Sequence, residues 1–316
     1  MRMPRHPPVL RVLLLPLLPA ALLVVSVLAC ARGPADRGTP GAATGASMAI
    51  ENKGSDTIVN LALAWAEAYR IVRPEVSIAV TGGGTGTGIA ALMNGTVDIA
   101  NASRQMKDDE IAAARAKGIE PVEHTIAIDA LAIIVNLENP VAELTIGQLS
   151  DIFTGRIANW RDVGGRDARI VLVSRETNSG THVYFLDEVV RRGDKKAKDV
   201  FAPETLLMPS SVGITSEVRR NPNAIGYDGL GYVTAEEKVI AVAAAPGQPY
   251  VMPSVATAAD GTYPLSRALY MYTAGAPTGE IAAYLDWIAG PAGQEIVRKL
   301  GFVPLGADGS AAGGPS

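Results

Sequence analysis

The chain has 316 residues, 48% of them hydrophobic and 19% charged; that balance excludes disorder over most of its length and fits two domains or one large one. Lys and Arg number 28 against 32 Asp and Glu, a formal net charge of −4, which argues against nucleic acid as a partner because such a surface needs a basic excess. One cysteine, Cys30, and three histidines, His6, His124 and His182, with no HExxH spacing, exclude a disulfide framework, a CxxC pair or a cysteine zinc cluster and point to no metal or other cofactor.

At the N-terminus, Arg2, Arg5 and Arg11 precede and enter an apolar run, Val9–Ala29, broken by Pro16 and Pro19. A run so short and interrupted reads as a signal peptide over residues 1–29 rather than a membrane-anchoring helix. Its end, Val27-Leu28-Ala29-Cys30, resembles a bacterial lipobox, which implies cleavage before Cys30 and acylation there. Ordinary cleavage after Ala29, leaving Cys30 a free thiol, is the alternative; the position of the chain's single cysteine favours lipidation. Residues 30–48, rich in Gly, Pro, Ala and Thr, read as a lipidated tether, and 306–316 as a disordered tail.

Between them, strand and helix patterns alternate. Ile58–Tyr69 carries Leu61, Trp65, Ala68 and Tyr69 at helical spacing. Val76–Thr81 alternates as a strand, Gly82–Gly88 reads as a turn, and Ile89–Met93 opens a helix. Asp98–Ala102 is expected as a strand and Asp108–Lys117 as a helix. Ala127–Asn136 is an apolar run suited to a fully buried strand. A helix follows over Thr145–Phe153, then a strand over Ile170–Ser174, a turn over Arg175–Gly180 and a helix over Thr181–Val190. Asp194–Asp199 reads as a solvated helix face. Leu265–Tyr272 is another long strand, and Thr278–Ala289 and Ala292–Leu300 are helices, the second entered through Pro291. The succession means an α/β fold with mostly parallel strands. Trp65, Tyr69, Trp160 and Trp287 read as core aromatics, and His124 and His182 as solvated or core histidines.

Three strand–turn–helix junctions are rich in glycine and hydroxyl residues: Lys53–Thr57, Thr81–Gly88 and Ser174–Thr181. A fourth segment, Asn101-Ala102-Ser103-Arg104, follows a strand. Each places backbone N–H groups at a helix N-terminus, where the dipole favours an anion. Hydroxyls add donors without charge, and Arg104 and Arg175 add forked donors suited to an oxyanion. Any one junction could be an ordinary N-cap; four together make a stronger signal. The glycine loop is neither a Walker A motif nor a GxGxxG fingerprint, since no Lys-Ser/Thr follows Gly88 and the sixth positions are Thr87 and Ile89. Ser179-Gly180-Thr181-His182 is no GxSxG elbow, because Thr177 stands two before the serine. No catalytic motif stands out, which weighs against an enzyme.

From Glu51 to Leu305 the sequence resembles the PstS family, the phosphate-binding proteins of bacterial phosphate ABC transporters. The motifs that carry the resemblance are Gly54–Thr57, Thr81–Ile89, Asp98–Arg104, Leu144–Phe153 with Asn159-Trp160, Ser174–Thr181, Tyr263–Arg267 and Gly301–Leu305. The resemblance implies a two-lobed periplasmic-binding-protein fold of type II, each lobe a mixed sheet flanked by helices. Lobe one would be 49–129 plus 268–305 and lobe two 130–267, with the hinge near Ile128–Ala132 and Leu265–Ala268. It implies that phosphate is held by Ser55, Asp56, Thr57, Thr85, Ser103, Arg104, Arg175, Ser179, Gly180 and Thr181. It further implies an exported monomer, held to a membrane through lipidated Cys30, that delivers phosphate to the membrane subunits of an ABC permease. Two departures matter. Thr85 stands where the family usually has serine. Thr177 stands where some relatives pair the arginine with aspartate, which leaves Glu176 as a substitute partner. For a proton-accepting carboxylate that would prefer phosphate over sulfate, Asp56 is favoured over Glu176; its alternative role is an N-cap. A phosphate-sensing or adhesion lipoprotein, or a binder of another tetrahedral oxyanion such as sulfate or molybdate, are the other readings of the same pocket.

Overall fold

The structure is a computed structural model describing residues 48–306. The expected signal peptide, Cys30, the tether as far as residue 47 and the tail from residue 307 lie outside the described residues. Met48, assigned to the tether by composition, instead begins a strand.

The first elements are β1 (Met48–Gly54), α1 (Asp56–Val72), β2 (Val76–Thr81), α2 (Thr85–Met93), β3 (Ile99–Ala102) and α3 (Asp108–Ala116). A long strand, β4 (Val122–Asn136), leads to β5 (Glu143–Thr145), α4 (Ile146–Phe153), β6 (Val171–Arg175) and α5 (Gly180–Phe185). Then come β7 (Leu206–Met208), α6 (Ser211–Arg220), β8 (Ala224–Gly229), β9 (Glu237–Ala243) and α7 (Val255–Ala259). The chain returns through β10 (Ser266–Thr273) and ends in α8 (Gly279–Ala289) and α9 (Pro291–Lys299).

The main strand order is β2-β1-β3-β10-β4-β8-β6-β7, with β9 pairing both β4 and β5. Pairs β1–β2, β1–β3, β5–β9, β6–β7 and β6–β8 are parallel, whereas β10 and β4 pair all their neighbours antiparallel. The mostly parallel expectation is thus corrected to a mixed sheet. The antiparallel strands are the two long apolar runs, whose pairing direction their composition does not encode.

β4 divides the molecule. Its first part pairs β10, and from Leu131 onward it pairs β8 and β9. On one side, Ile58, Leu61, Trp65 and Tyr69 of α1 pack against Ile50, Leu269, Tyr284 and Ile288. The i, i+3, i+4 spacing of those α1 residues makes one apolar face, and its burial forces the helix onto the sheet. The Trp65 indole donates to Gly293 O at 2.9 Å, so its polar tip is also satisfied. On the other side, Phe153, Phe185 and Tyr227 stack with Leu144, Ile152 and Ile240, and Trp160 closes that core. Trp287, by contrast, is half-buried against Tyr69.

Three local expectations change. Helix α2 begins at Thr85, inside the glycine loop, because Gly84 at φ 89° turns the chain into it. Helix α5 stops at Phe185 and continues as a π-turn over Leu186–Val190. Asp194–Asp199 is not helical; it runs through a turn and a loop with most of its charges exposed.

Candidate functional site

The loops after β1, β2 and β6 all end at helix N-termini, and these meet where the two halves face each other. The Thr57 hydroxyl of α1 lies 2.9 Å from that of Thr181 on α5. Thr85 Oγ1 accepts from the Ser103 backbone N–H at 3.1 Å and lies 3.3 Å from Ser103 Oγ. Gly180 seats against both: a Cβ there would stand 2.5 Å from Thr85 Oγ1 and 2.6 Å from Ser103 Oγ, so only glycine fits this approach. Ser55, Thr57, Thr85, Ser103, Ser179 and Thr181 are all buried. Ser179 caps α5 by accepting from the N–H groups of Thr181 and His182. The first-turn N–H groups of a helix have no intrahelical partner, so three such sets of donors surround these hydroxyls. The result is a compact, charge-poor donor set suited to an oxyanion.

Two arginines bracket this set. Arg267, on β10, donates from Nη2 to Thr181 Oγ1 and Asp129 Oδ2, both at 2.9 Å, and from Nη1 to Ser103 O at 3.1 Å. Arg175, at the end of β6, donates to Asp56 Oδ2 at 2.6 Å, Pro209 O at 3.0 Å, Ser211 Oγ at 3.2 Å and Met208 O at 3.3 Å. Asp56 and Arg175 come from opposite halves, and so do Asn178 and the glycine loop it grips through Gly83 O, at 2.9 Å, and Gly86 N–H, at 3.0 Å. These contacts join the two sides directly.

Among the ten residues expected to hold the ligand, nine come together here. Arg104 does not: its guanidinium makes a two-pronged pair with Glu110 at 2.7 Å on both arms, and Glu110 also accepts from Lys107 N–H. Burial pushes the Glu110 carboxyl up, but the hydrogen bonds from Arg104 and Lys107 outweigh it and hold it below the usual range. Glu176 is exposed and is not the partner of Arg175. Asp56 is not an N-cap either. That position is Ser55, and the Asp56 carboxylate accepts from Arg175 and from Gly83 N–H. His182 is a core residue stacked on Phe201, its pKa lowered by burial; His124 is half-buried beside Thr273.

Sequence reasoning missed Arg267, Asp129 and Asp228 as site residues. Arg267 and Asp129 are direct partners in the β10–β4 register, and each is a solitary charge inside an apolar strand. That signal was available, since Asp129 is the one charge in the apolar run Ala127–Asn136 (Glu123 lies at the far end of β4) and Arg267 the one charge of β10: a charge in such a run is buried and must find a partner. Burial pushes Asp129 up, against the pull of Arg267. Asp228, on fully buried β8, accepts from Ser211 Oγ at 2.9 Å and Gly229 N–H at 2.8 Å. Burial pushes it up to about 6. Among the described residues no group of three or more His, Cys, Asp or Glu is placed to hold a metal.

This architecture matches known proteins. Residues 38–292 match the model of the PBP superfamily domain. The phosphate-binding protein PstS of Pseudomonas aeruginosa is 36% identical over 280 residues, covering 83% of this chain and 85% of that one. PstS of Bacillus subtilis is 32% identical and covers 93% and 94%. A solved structure from Clostridium perfringens, described as a phosphate ABC transporter substrate-binding protein with bound phosphate, is 32% identical. It superposes with a TM-score of 0.73 over 82% of this chain and 100% of that one. An ABC-type phosphate transport receptor from Vibrio cholerae is 30% identical, with a TM-score of 0.64 over 81% and 99%. The fold is thus the two-lobed periplasmic-binding-protein fold, and the chain belongs to the PstS family of phosphate-binding proteins within the PBP superfamily.

Proposed function

We propose that this chain captures inorganic phosphate between its lobes and delivers it to an ABC permease. The observation that carries the reading is the convergence of six buried hydroxyls, from Ser55, Thr57, Thr85, Ser103, Ser179 and Thr181, with the Gly180 backbone and Arg267 at the lobe junction. Phosphate is held by these donors, with Arg175 and Asp56 closing over it. Their contacts reach across the cleft only when the lobes meet, so ligand stabilises the closed form, and that form docks on the permease. Lobe one comprises 49–129 and 268–305 and lobe two 130–267, with the hinge at the two strand crossovers. Isothermal titration with phosphate, sulfate and molybdate tests the assignment. Saturable binding of phosphate in preference to the other two is expected, and a preference for sulfate or molybdate would replace phosphate as the ligand.

The protein works as a binding protein without catalysis, as a monomer outside the cytoplasm, held to a membrane by acylated Cys30. No helix among the described residues is long and apolar enough to cross a membrane. One acyl chain anchors only marginally, so stable attachment needs the multiple acylation that a lipobox cysteine receives. Cys30→Ser should leave the exported protein in the soluble fraction; continued sedimentation with membranes would refute lipidation at this residue.

A further inference from the structure

The cleft holds more carboxylates than guanidinium groups, and this bears on how an anion can enter it. On the phosphate reading above, the ligand brings one or two further negative charges. Asp56, Asp129 and Asp228 stand against Arg175 and Arg267 in two hydrogen-bonded runs that meet at Gly229. Asp228 Oδ1 accepts from Ser211 Oγ, Ser211 Oγ accepts from Arg175 Nη1, and Arg175 Nη2 donates to Asp56. At the other end Arg267 is paired with Asp129. The Asp129 carboxylate lies against Gly229, where a Cβ would stand 2.9 Å from Oδ1; Gly229 is the neighbour of Asp228 in the chain.

Asp228 differs from the other two carboxylates. It shares full burial and one oxygen without a hydrogen-bond partner with Asp129, but unlike Asp129, which Arg267 pairs, it has no guanidinium of its own. The titratable and charged groups around it are Arg175 from β6, Asp129 from β4, Asp56 from α1, Tyr232 beyond β8 and Tyr227 on its own strand. Burial holds both tyrosines neutral at physiological pH by pushing their pKa values up. Arg175 is the nearest cation, and its bonds are shared with Asp56, Met208 O and Pro209 O. A buried carboxylate oxygen with no donor is a poor place for charge and a good place for a proton.

We propose that Asp228 takes up a proton from solvent as phosphate enters, so that phosphate capture by this chain is proton-coupled. The proton binds the bare Oδ2, no other bond is made or broken, and the site becomes more positive by one charge. The direction of the linkage follows from the sign of the shift. Asp228 already sits near 6 in the folded protein because burial disfavours its charge. An incoming anion disfavours that charge further and raises the value again. Over the window between the two values binding takes up a proton, and affinity falls as pH rises, by at most about tenfold per pH unit for one proton.

Calorimetry of the full chain with inorganic phosphate, repeated across buffers of different ionisation enthalpy between pH 6 and 8, reads the proton stoichiometry directly. Phosphate's own titration is common to every variant, so differences between variants belong to the protein. Asp228→Asn keeps an acceptor for Ser211 and Gly229 but cannot titrate. It is expected to lower the proton uptake seen in the parent and to flatten the pH dependence, binding more tightly than the parent at pH 8 and within about twofold of it at pH 6. The same uptake and slope in this variant would overturn the proposal. An infrared difference spectrum of the parent, with and without phosphate, should gain the carbonyl band of a protonated carboxyl. Absence of that gain overturns the proposal even if the variant does not fold. Failure of the parent to bind phosphate would instead sink the functional reading on which this one rests.

Discussion

Two ion pairs meet at the cleft, and they are built for different work. Asp129–Arg267 joins register partners on adjacent strands, with side chains 0% and 4% exposed. Asp56–Arg175 joins opposite lobes, with side chains 15% and 1% exposed. On the lobe division proposed above, the first lies where β4 and β10 cross from one lobe to the other, so opening the lobes need not break it. The second reaches across the two sides, so on the same reading it forms only when the lobes meet. One pair is part of the frame that positions the hydroxyls, and the other is a contact of closure.

The largest effect should come from the frame. Arg267→Ala leaves Asp129 buried and unpaired, which costs on the order of 3–5 kcal/mol of stability. It also removes the cation beside Thr181, so phosphate binding should be lost along with it. Chemical unfolding and phosphate titration of the same preparation measure both. Near-normal stability would show that Asp129 is protonated and needs no partner.

Arg175→Ala should spare the fold and strike binding, by on the order of 2–5 kcal/mol, because it removes a desolvated forked donor and leaves Asp56 without its partner. Wild-type affinity in titration would remove Arg175 from the site. The contrast between the two arginines, stability plus binding against binding alone, is the sharpest test of the division drawn above.

How far the sequence could see follows the same division. The junction residues were legible because glycine, serine and threonine before a helix have a local reason to be there. Nine expected ligand residues do converge, although that they hold phosphate rests on the proposal above. The long-range pairs were not legible. Arg267 and Asp129 lie 138 positions apart, and only the antiparallel register of two apolar strands makes them partners. Elements β7, β8 and α7 went unassigned for a related reason: β7 and α7 are short, and β8 is buried on both faces, so none of the three has a clear period. The glycine loop was read as a turn because glycine disfavours helix in general. Close contact with Asn178 and the strand behind it outweighs that preference here.

Asp56→Asn tests the closure pair from its other side and should have a smaller effect. Asparagine can still accept from Gly83 N–H and from Arg175, but without charge. Losing the charge assistance of one part-exposed pair weakens phosphate binding by about tenfold, or roughly 1.4 kcal/mol. Each oxygen of Asp56 already accepts one hydrogen bond, from Gly83 and from Arg175, and the asparagine keeps an acceptor there, so the preference for phosphate over sulfate should survive. Parallel titrations decide it. A narrowed gap between the two anions would return Asp56 to the role of proton-accepting selector that the sequence favoured.

The smallest effect is expected at Arg104, which its forked donor and the family resemblance had grouped with the cleft. Its guanidinium is held by both oxygens of Glu110 and by Gln105 O, and Glu110 in turn accepts from Lys107 N–H at the start of α3. Arg104 thus ties the segment after β3 to the first turn of the next helix. Any help it gives the ligand passes through the placement of Ser103. The pair is mostly sheltered, with side chains 10% and 19% exposed, so Arg104→Ala leaves a part-buried carboxylate without its main partner. A loss of roughly 1–2 kcal/mol in stability follows, above the value for an exposed pair and below that for a fully buried one. Phosphate affinity should change by no more than about threefold, under 1 kcal/mol, and Glu110→Gln should reproduce both results, since it breaks the same contact from the other end. If Arg104→Ala abolishes binding while Glu110→Gln leaves it intact, the guanidinium must swing from Glu110 to the anion, and Arg104 rejoins the ligand set.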